Sequence, residues 1–391
     1  MPWLIRVSFV FLLAFFRLSL LPVYGDDPKF RLHELSVWVV DATQEQANQQ
    51  PFCPSAMPPV VSSDRGRSKD ASGIAPFSLL TFHGEPVTDL EVDLRVQSGR
   101  FLSHWPKSDA KGSRLRWIEL GLTPQLDDPT RLATVDAGHW FQQARNFDSL
   151  FVTSGARAER FMVYDCEFKL APPIKLAGGP DRYEVTNLGT SPLVDLVISV
   201  PTANGRRIGR LDALAAKPKE TKEEKDAKPA AAAELMMSPP VAEGSAELAK
   251  EKAAFGESLR RTGLTDKEIE LLVSAASPTL FESKEMAVVF RLPPDAIEER
   301  LPLVTYPAPI KTVRVALVFV KNIDPNIEKE VQTLVAQLGA AKYAEREAAE
   351  KRLAELRRLA IPALRTALKS KDLEVVFRAE RILMAQDEKI D

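Results

Sequence analysis

Over much of residues 30–214, apolar and polar positions alternate with a period of two, the pattern of half-buried β-strands. The clearest case is 87–96. There Leu90, Val92, Leu94 and Val96 fall on one side and Asp89, Glu91, Asp93 and Arg95 on the other, which predicts one core face and one solvated face. Strands are also predicted over 30–41, 76–83, 100–105, 114–120 and 161–170. In 30–41, Leu35, Val37 and Val39 oppose Trp38 and Val40, so both faces of that strand are expected to be covered. In 161–170, Met162, Tyr164, Cys166, Phe168 and Leu170 share the apolar face, and Asp165, Glu167 and Lys169 share the other. Ala203-Asn204-Gly205-Arg206 between two β-type runs predicts a hairpin with a type I′ turn, because Asn-Gly tolerates positive φ. Residues 138–146 read as a short helix.

Beyond residue 214 the period changes. Residues 215–245 are rich in Lys, Glu, Ala and Pro and read as a low-complexity linker. A helix is predicted over 246–261, stopped near Gly263. Thr265-Asp266-Lys267-Glu268 is a capping-box pattern that opens a second helix running through Ala276. Residues 286–292 and 312–320 return to strand and are apolar enough to require a buried face, so they are expected to complete the sheets begun earlier. Residues 44–70, polar and rich in Pro and Ser, read as a long surface loop. From 327 to 386, Ala348, Ala349, Leu353, Leu356 and Leu359 recur at helical spacing, and Pro362 suits the first turn of a following helix. The expected fold is therefore α+β. A β-rich, sandwich-like and mainly antiparallel domain spans 26–214 and is completed by 246–322, and a small helical module follows at 327–386.

The first residues add a compartment. Arg6, the apolar run 7–16 and small residues ending at Gly25 have the form of a secretory signal peptide over 1–25. Arg17 cuts the run short of the ~20 residues a membrane span needs. The expected location is thus periplasmic or extracellular, with no transmembrane segment in the mature chain. Export would place the two cysteines, Cys53 and Cys166, where a disulfide can persist. Their spacing is compatible both with that bond and with a buried Cys166 thiol. In 391 residues the formal net charge is −2, which gives no overall basic field and argues against nucleic acid as a partner.

Familiar chemistry is missing from the motifs. HExxH, CxxC, GxSxG and P-loop patterns are all lacking, and no cofactor is expected. The histidines His33, His83, His104 and His139 have no metal-ligand spacing, so a metal site would have to be assembled from residues distant in sequence. Asp165 and Glu167 lie two apart on one strand face, with α-carbons ~6.7 Å apart, a spacing compatible with the carboxyl pair of a glycoside hydrolase. A solvated strand face is the simpler explanation of the pair, since nearly every amphipathic strand has one, and alternation alone explains the row Asp89, Glu91 and Asp93. Trp105 and Trp140, with Trp117, His139 and Phe141, are either core fillers or contact aromatics for a sugar or peptide.

The segments RFMVYDCEF, YEVTNLGTSPLVDLVIS and NGRRIGRL, followed by GLTDKEIELLV, PTLF and LPLVTYPAPIKTVRVALVFV, resemble a recurrent group of uncharacterised secreted bacterial proteins, over roughly residues 140–325. That group brings no catalytic residues with it. Residues 334–383 resemble one HEAT-like helical unit of the kind that ends many exported bacterial proteins. A single unit cannot bury its own faces, so it is expected to pack on the β domain, on a helix at 327–338 or on another protein. The resemblance implies binding. The resulting expectation is a non-enzymatic binding or scaffold protein of the cell envelope, contacting a protein partner or envelope component through its helical end. The competing expectation is a carbohydrate-active hydrolase using Asp165 and Glu167.

Overall fold

A computed structural model describes residues 29–42, 62–63, 73–108, 110–217 and 231–386. The proposed signal segment, Cys53 and nearly all of the loop at 44–70 lie outside the described residues. The fold is α+β, β-rich and mostly antiparallel, with helices at the C-terminal end.

In chain order, the first half supplies β1 (Phe30–Asp41), β2 (Ser62–Ser63), β3 (Gly73–Gly84), β4 (Val87–Arg95), β5 (Gly99–Trp105), β6 (Arg114–Thr123), α1 (Trp140–Ala144), β7 (Phe151–Ser154), β8 (Arg157–Glu159) and β9 (Met162–Phe168). Next come β10 (Ile174–Gly179), β11 (Arg182–Asn187), β12 (Leu193–Thr202), β13 (Gly205–Leu214) and β14 (Ala231–Met236). Two helices follow, α2 (Ala246–Arg260) and α3 (Asp266–Ser277), then β15 (Ala287–Leu292), α4 (Pro294–Arg300), β16 (Leu303–Tyr306) and β17 (Lys311–Lys321). The chain continues in α5 (Ile327–Gln337), α6 (Tyr343–Leu356), α7 (Ile361–Ala367) and α8 (Leu373–Ala385).

A nine-stranded sheet in the order β13-β12-β15-β17-β1-β3-β9-β5-β2 is the middle layer. The late strands β15 and β17 do join strands from the first half. β17 lies beside β1 in parallel register, an exception to the antiparallel pattern. Both are near-continuous apolar runs, as strands covered on two faces must be. On one side of the sheet, Phe30, Leu32, Trp38 and Val40 of β1 share a core with Val92 and Leu94 of β4, Trp117 of β6 and Leu176 and Val185 of the β10-β11-β14 sheet. On the other side, Leu35, Val37 and Val39 share a second core with Trp140 and Phe141 of α1, Phe255 and Leu259 of α2 and Ile269 and Leu272 of α3. Alternation along β1 therefore feeds two layers, two smaller sheets on one face and helices on the other.

Two expectations are corrected. Residues 231–236, assigned to the linker, form β14, paired with β11. Leu235, 1% exposed, reaches the core because Gly209 has no side chain there; a Cβ on Gly209 would lie 1.9 Å from Leu235 Cδ2. The β12–β13 hairpin forms, yet its turn is not type I′. Of Asn204 and Gly205 only the glycine has positive φ, at 122°, and Thr202 pairs with Gly205.

The C-terminal helices have their own core, built from Val331 of α5 and Leu338 just after it, Ala349, Leu353 and Leu356 of α6, Leu364 of α7 and Val375, Ala379, Ile382 and Leu383 of α8. The four helices bury their inner faces against one another, with α5 packed on α6, α7 and α8. Arg378 ties α8 to α6 through Glu347 at 2.7 Å and through Glu350. Among the described residues, no helix is long and apolar enough to cross a membrane.

Candidate functional site

The sequence separates His33, His83 and Glu268, and the fold brings them together. β1 pairs with β3 so that His33 stands opposite Thr81, which puts His83, two residues further on, on the same face. That face meets α3. Thr265 caps this helix by the predicted box: its hydroxyl accepts the Glu268 amide, and Glu268, the third residue of α3, accepts the Thr265 amide at 2.8 Å. Such a glutamate ordinarily faces water. Here it faces the sheet, and its exposure is 0%.

Four donors converge on the Glu268 carboxylate. His33 Nδ1 lies 2.9 Å from Oε2, and His83 Nε2 lies 3.1 Å from Oε1. The Thr81 hydroxyl donates to Oε1 at 2.5 Å, and the Thr265 amide takes the remaining place on Oε2. A carboxylate has about four lone-pair sites, and all are engaged. The imidazole rings sit 4.4 Å apart between centroids. Burial acts to raise the Glu268 carboxyl, but the hydrogen bonds from His33, His83 and Thr81 outweigh it and hold the group far below the ordinary carboxylate range. The site is thus a buried, ionised carboxylate between two imidazoles.

The opposite face of β1 carries a second buried polar group. Glu34 accepts hydrogen bonds from the Tyr164 hydroxyl of β9 and from Arg314 of β17, which also bonds Glu298 and the Leu301 carbonyl. Burial and then the Glu34 charge push the Tyr164 phenol well above its usual value. Cys166, two residues along β9, is fully buried on this side, and burial followed by the Asp165 and Glu34 charges raises its thiol. Its candidate disulfide partner, Cys53, lies outside the described residues.

The other candidates are dispersed. Glu167 is 2% exposed and bound to Arg100 at 2.7 Å, while Asp165 is partly buried in the same interior strand. An arginine-bound carboxylate is poorly suited to serve as a general acid or nucleophile. Trp105 and Trp140 are 1% and 4% exposed; they fill the core on the helix side of the sheet and have no ring face open to a ligand. Trp117 is equally buried and donates to the Pro106 carbonyl at 2.7 Å. His104 and His139 are buried in separate places. His104 accepts the Ser108 amide, and His139 caps α1. In the acidic row, Glu91 pairs with Arg116 at 2.6 Å and Asp93 with Arg114.

A further feature without a sequence signal lies on α8. Leu373, Phe377 and Met384 are 81%, 58% and 64% exposed, on the side of the helix opposite its buried face. Tyr343, at the start of α6, is 64% exposed, and its ring lies 5.7 Å from the Arg378 guanidinium. α8 therefore has apolar residues on both sides, only one of which is used internally. No protein-family model matches this chain, and neither a curated protein sequence nor a solved structure matches it.

Proposed function

We propose that this chain is a non-enzymatic binding or scaffold protein, exported to the bacterial cell envelope, that holds a protein partner on the outer face of its C-terminal helical module. The observation that carries this reading is the stripe Leu373, Phe377 and Met384. Residues four and seven apart on a helix fall in line, so these three side chains lie along one edge of α8. Exposed apolar strips rimmed by charge are typical of interaction sites, and Glu374 and Arg381 supply the rim. A HEAT-like unit would use this terminal face to stack its next neighbour. A partner with an apolar helix face suits it in the same way.

The test is affinity capture from envelope extracts with the full chain and with a Leu373→Ser/Phe377→Ser/Met384→Ser variant. Because those side chains are outside the core, the variant should keep the wild-type circular dichroism spectrum. It should lose the partner that the wild type recovers reproducibly. Equal recovery by both would remove the α8 face from the account. Fractionation, with mass spectrometry of the mature N-terminus, should find the chain exported and cleaved near Gly25. A cytoplasmic, uncleaved chain would refute the envelope assignment.

A further inference from the structure

Four glutamates are buried among the described residues, and arginine holds three of them: Arg314 on Glu34, Arg145 on Glu159 and Arg100 on Glu167. Glu268 departs from the pattern. Its partners are His33, His83, Thr81 and the Thr265 amide, none of them a permanent cation. A carboxylate held out of water with hydrogen-bond donors converging on both oxygens is a place for positive charge, and buried charges are met by ion pairs or by metals. We propose that His33, His83 and Glu268 form a binding site for a zinc-class divalent metal ion that fastens α3 to β1 and β3.

The donor set fits such an ion. Imidazole nitrogen and carboxylate oxygen are ordinary zinc ligands, and the ligand atoms of the three residues all lie within 4.8 Å of one another. A zinc ion about 2.0–2.2 Å from each donor requires donor separations of roughly 3–4 Å, so small side-chain shifts from the 2.9 and 3.1 Å contacts suffice. His33 Nδ1, His83 Nε2 and the Glu268 carboxylate, whose two oxygens share one carbon and so fill a single coordination position, make a three-residue donor set of the kind zinc takes. Each imidazole then presents a lone pair to the ion and carries its one proton on the other ring nitrogen, and a ring protonated on both nitrogens gives the second proton to solvent. Thr81 and the Thr265 amide keep the carboxylate oriented, the role that hydrogen-bonded neighbours play around metal ligands. His33 and His83 are 2% and 5% exposed, which leaves no open position for a substrate. The site is structural.

The test uses the full chain without a polyhistidine tag, produced in zinc-supplemented medium, with metal measured by inductively coupled plasma mass spectrometry. The expected content is about one zinc per chain, and Co²⁺ supplied instead should give visible d–d bands. His83→Gln and Glu268→Gln keep a polar group at each position and should reduce bound metal at least about tenfold. A chelator should lower the thermal midpoint of the wild type and leave that of His83→Gln unchanged. Two results would overturn the proposal: a folded wild type that takes up no metal from excess Zn²⁺, or equal metal in the wild type and both variants, which would mean adventitious binding elsewhere. If the variants fail to fold, wild-type metal content and chelator response decide alone.

Discussion

Replacing Arg314 with methionine tests what holds β1 and β17 in register. The substitution keeps a long apolar stem but removes the guanidinium that binds Glu34, Glu298 and the Leu301 carbonyl. Glu34 is 1% exposed, so its carboxylate would be left in the core with the Tyr164 hydroxyl as its remaining side-chain donor. Breaking a buried pair by removing one partner costs about 3–5 kcal/mol. The Leu301 carbonyl, 2.8 Å from Arg314, adds about 1 kcal/mol when it loses its donor. Glu298 is half exposed, and its share is small. The expected loss is about 5 kcal/mol, roughly several thousandfold in the folding equilibrium. Urea denaturation followed by tryptophan fluorescence reads it, because Trp38, Trp105, Trp117 and Trp140 lie in the β domain and residues 327–391 contain no tryptophan. The midpoint should fall at unchanged slope. A Glu34→Gln/Arg314→Met double variant leaves no charge stranded and should recover at least about half of the loss. A cost below about 1 kcal/mol for the single variant, or a double variant as unstable as the single, would refute the electrostatic account.

Other outcomes follow from the same geometry. Burial and Glu34 raise the Tyr164 phenol, so its contribution is complete below the unfolded value of about 10 and is lost as pH rises through the folded one; stability should drop more steeply above pH 10 in the wild type than in Tyr164→Phe. In a Cys53→Ser background Cys166, fully buried and with its thiol raised, should resist a thiol reagent until denaturant is added; native labelling at the rate of a small-molecule thiol would contradict its placement. Leu353→Ala, at a 0% exposed position in the helical core, should cost about 2–5 kcal/mol in the helical circular dichroism transition and leave the tryptophan transition in place. Gly205→Ala should destabilise by about 1–3 kcal/mol, since its φ is 122° and a Cβ would lie 2.2 Å from the Val241 carbonyl oxygen, whereas Asn204→Ala should be near neutral by thermal denaturation.

These sites differ in how far the sequence alone could reveal them. β4, α2 and the Thr265–Glu268 box were legible because each is a local pattern of alternation, a stop signal or a cap. β14 was not, because the alanine run 230–233 ahead of Glu234 and Leu235 hides the alternation and the partner that admits Leu235, Gly209, lies 26 residues earlier. The histidine cluster was hidden by distance, since strand pairing creates the contact of His33 with His83 and helix docking adds Glu268. One signal was present: a histidine in a strand covered on both faces must be buried, and a buried imidazole needs a polar partner. The cap motif had already named that partner, although only as a helix-capping residue. His33 and Glu34 are adjacent on β1 and point to opposite faces, one to the helix layer and the other to Tyr164 and Arg314. A slip of β1 by one residue would turn Glu34 toward Glu268 and His33 toward Arg314, stranding charge on both sides at once. In so apolar a strand, where either face could be core, these two polar anchors specify the register that hydrophobicity leaves open.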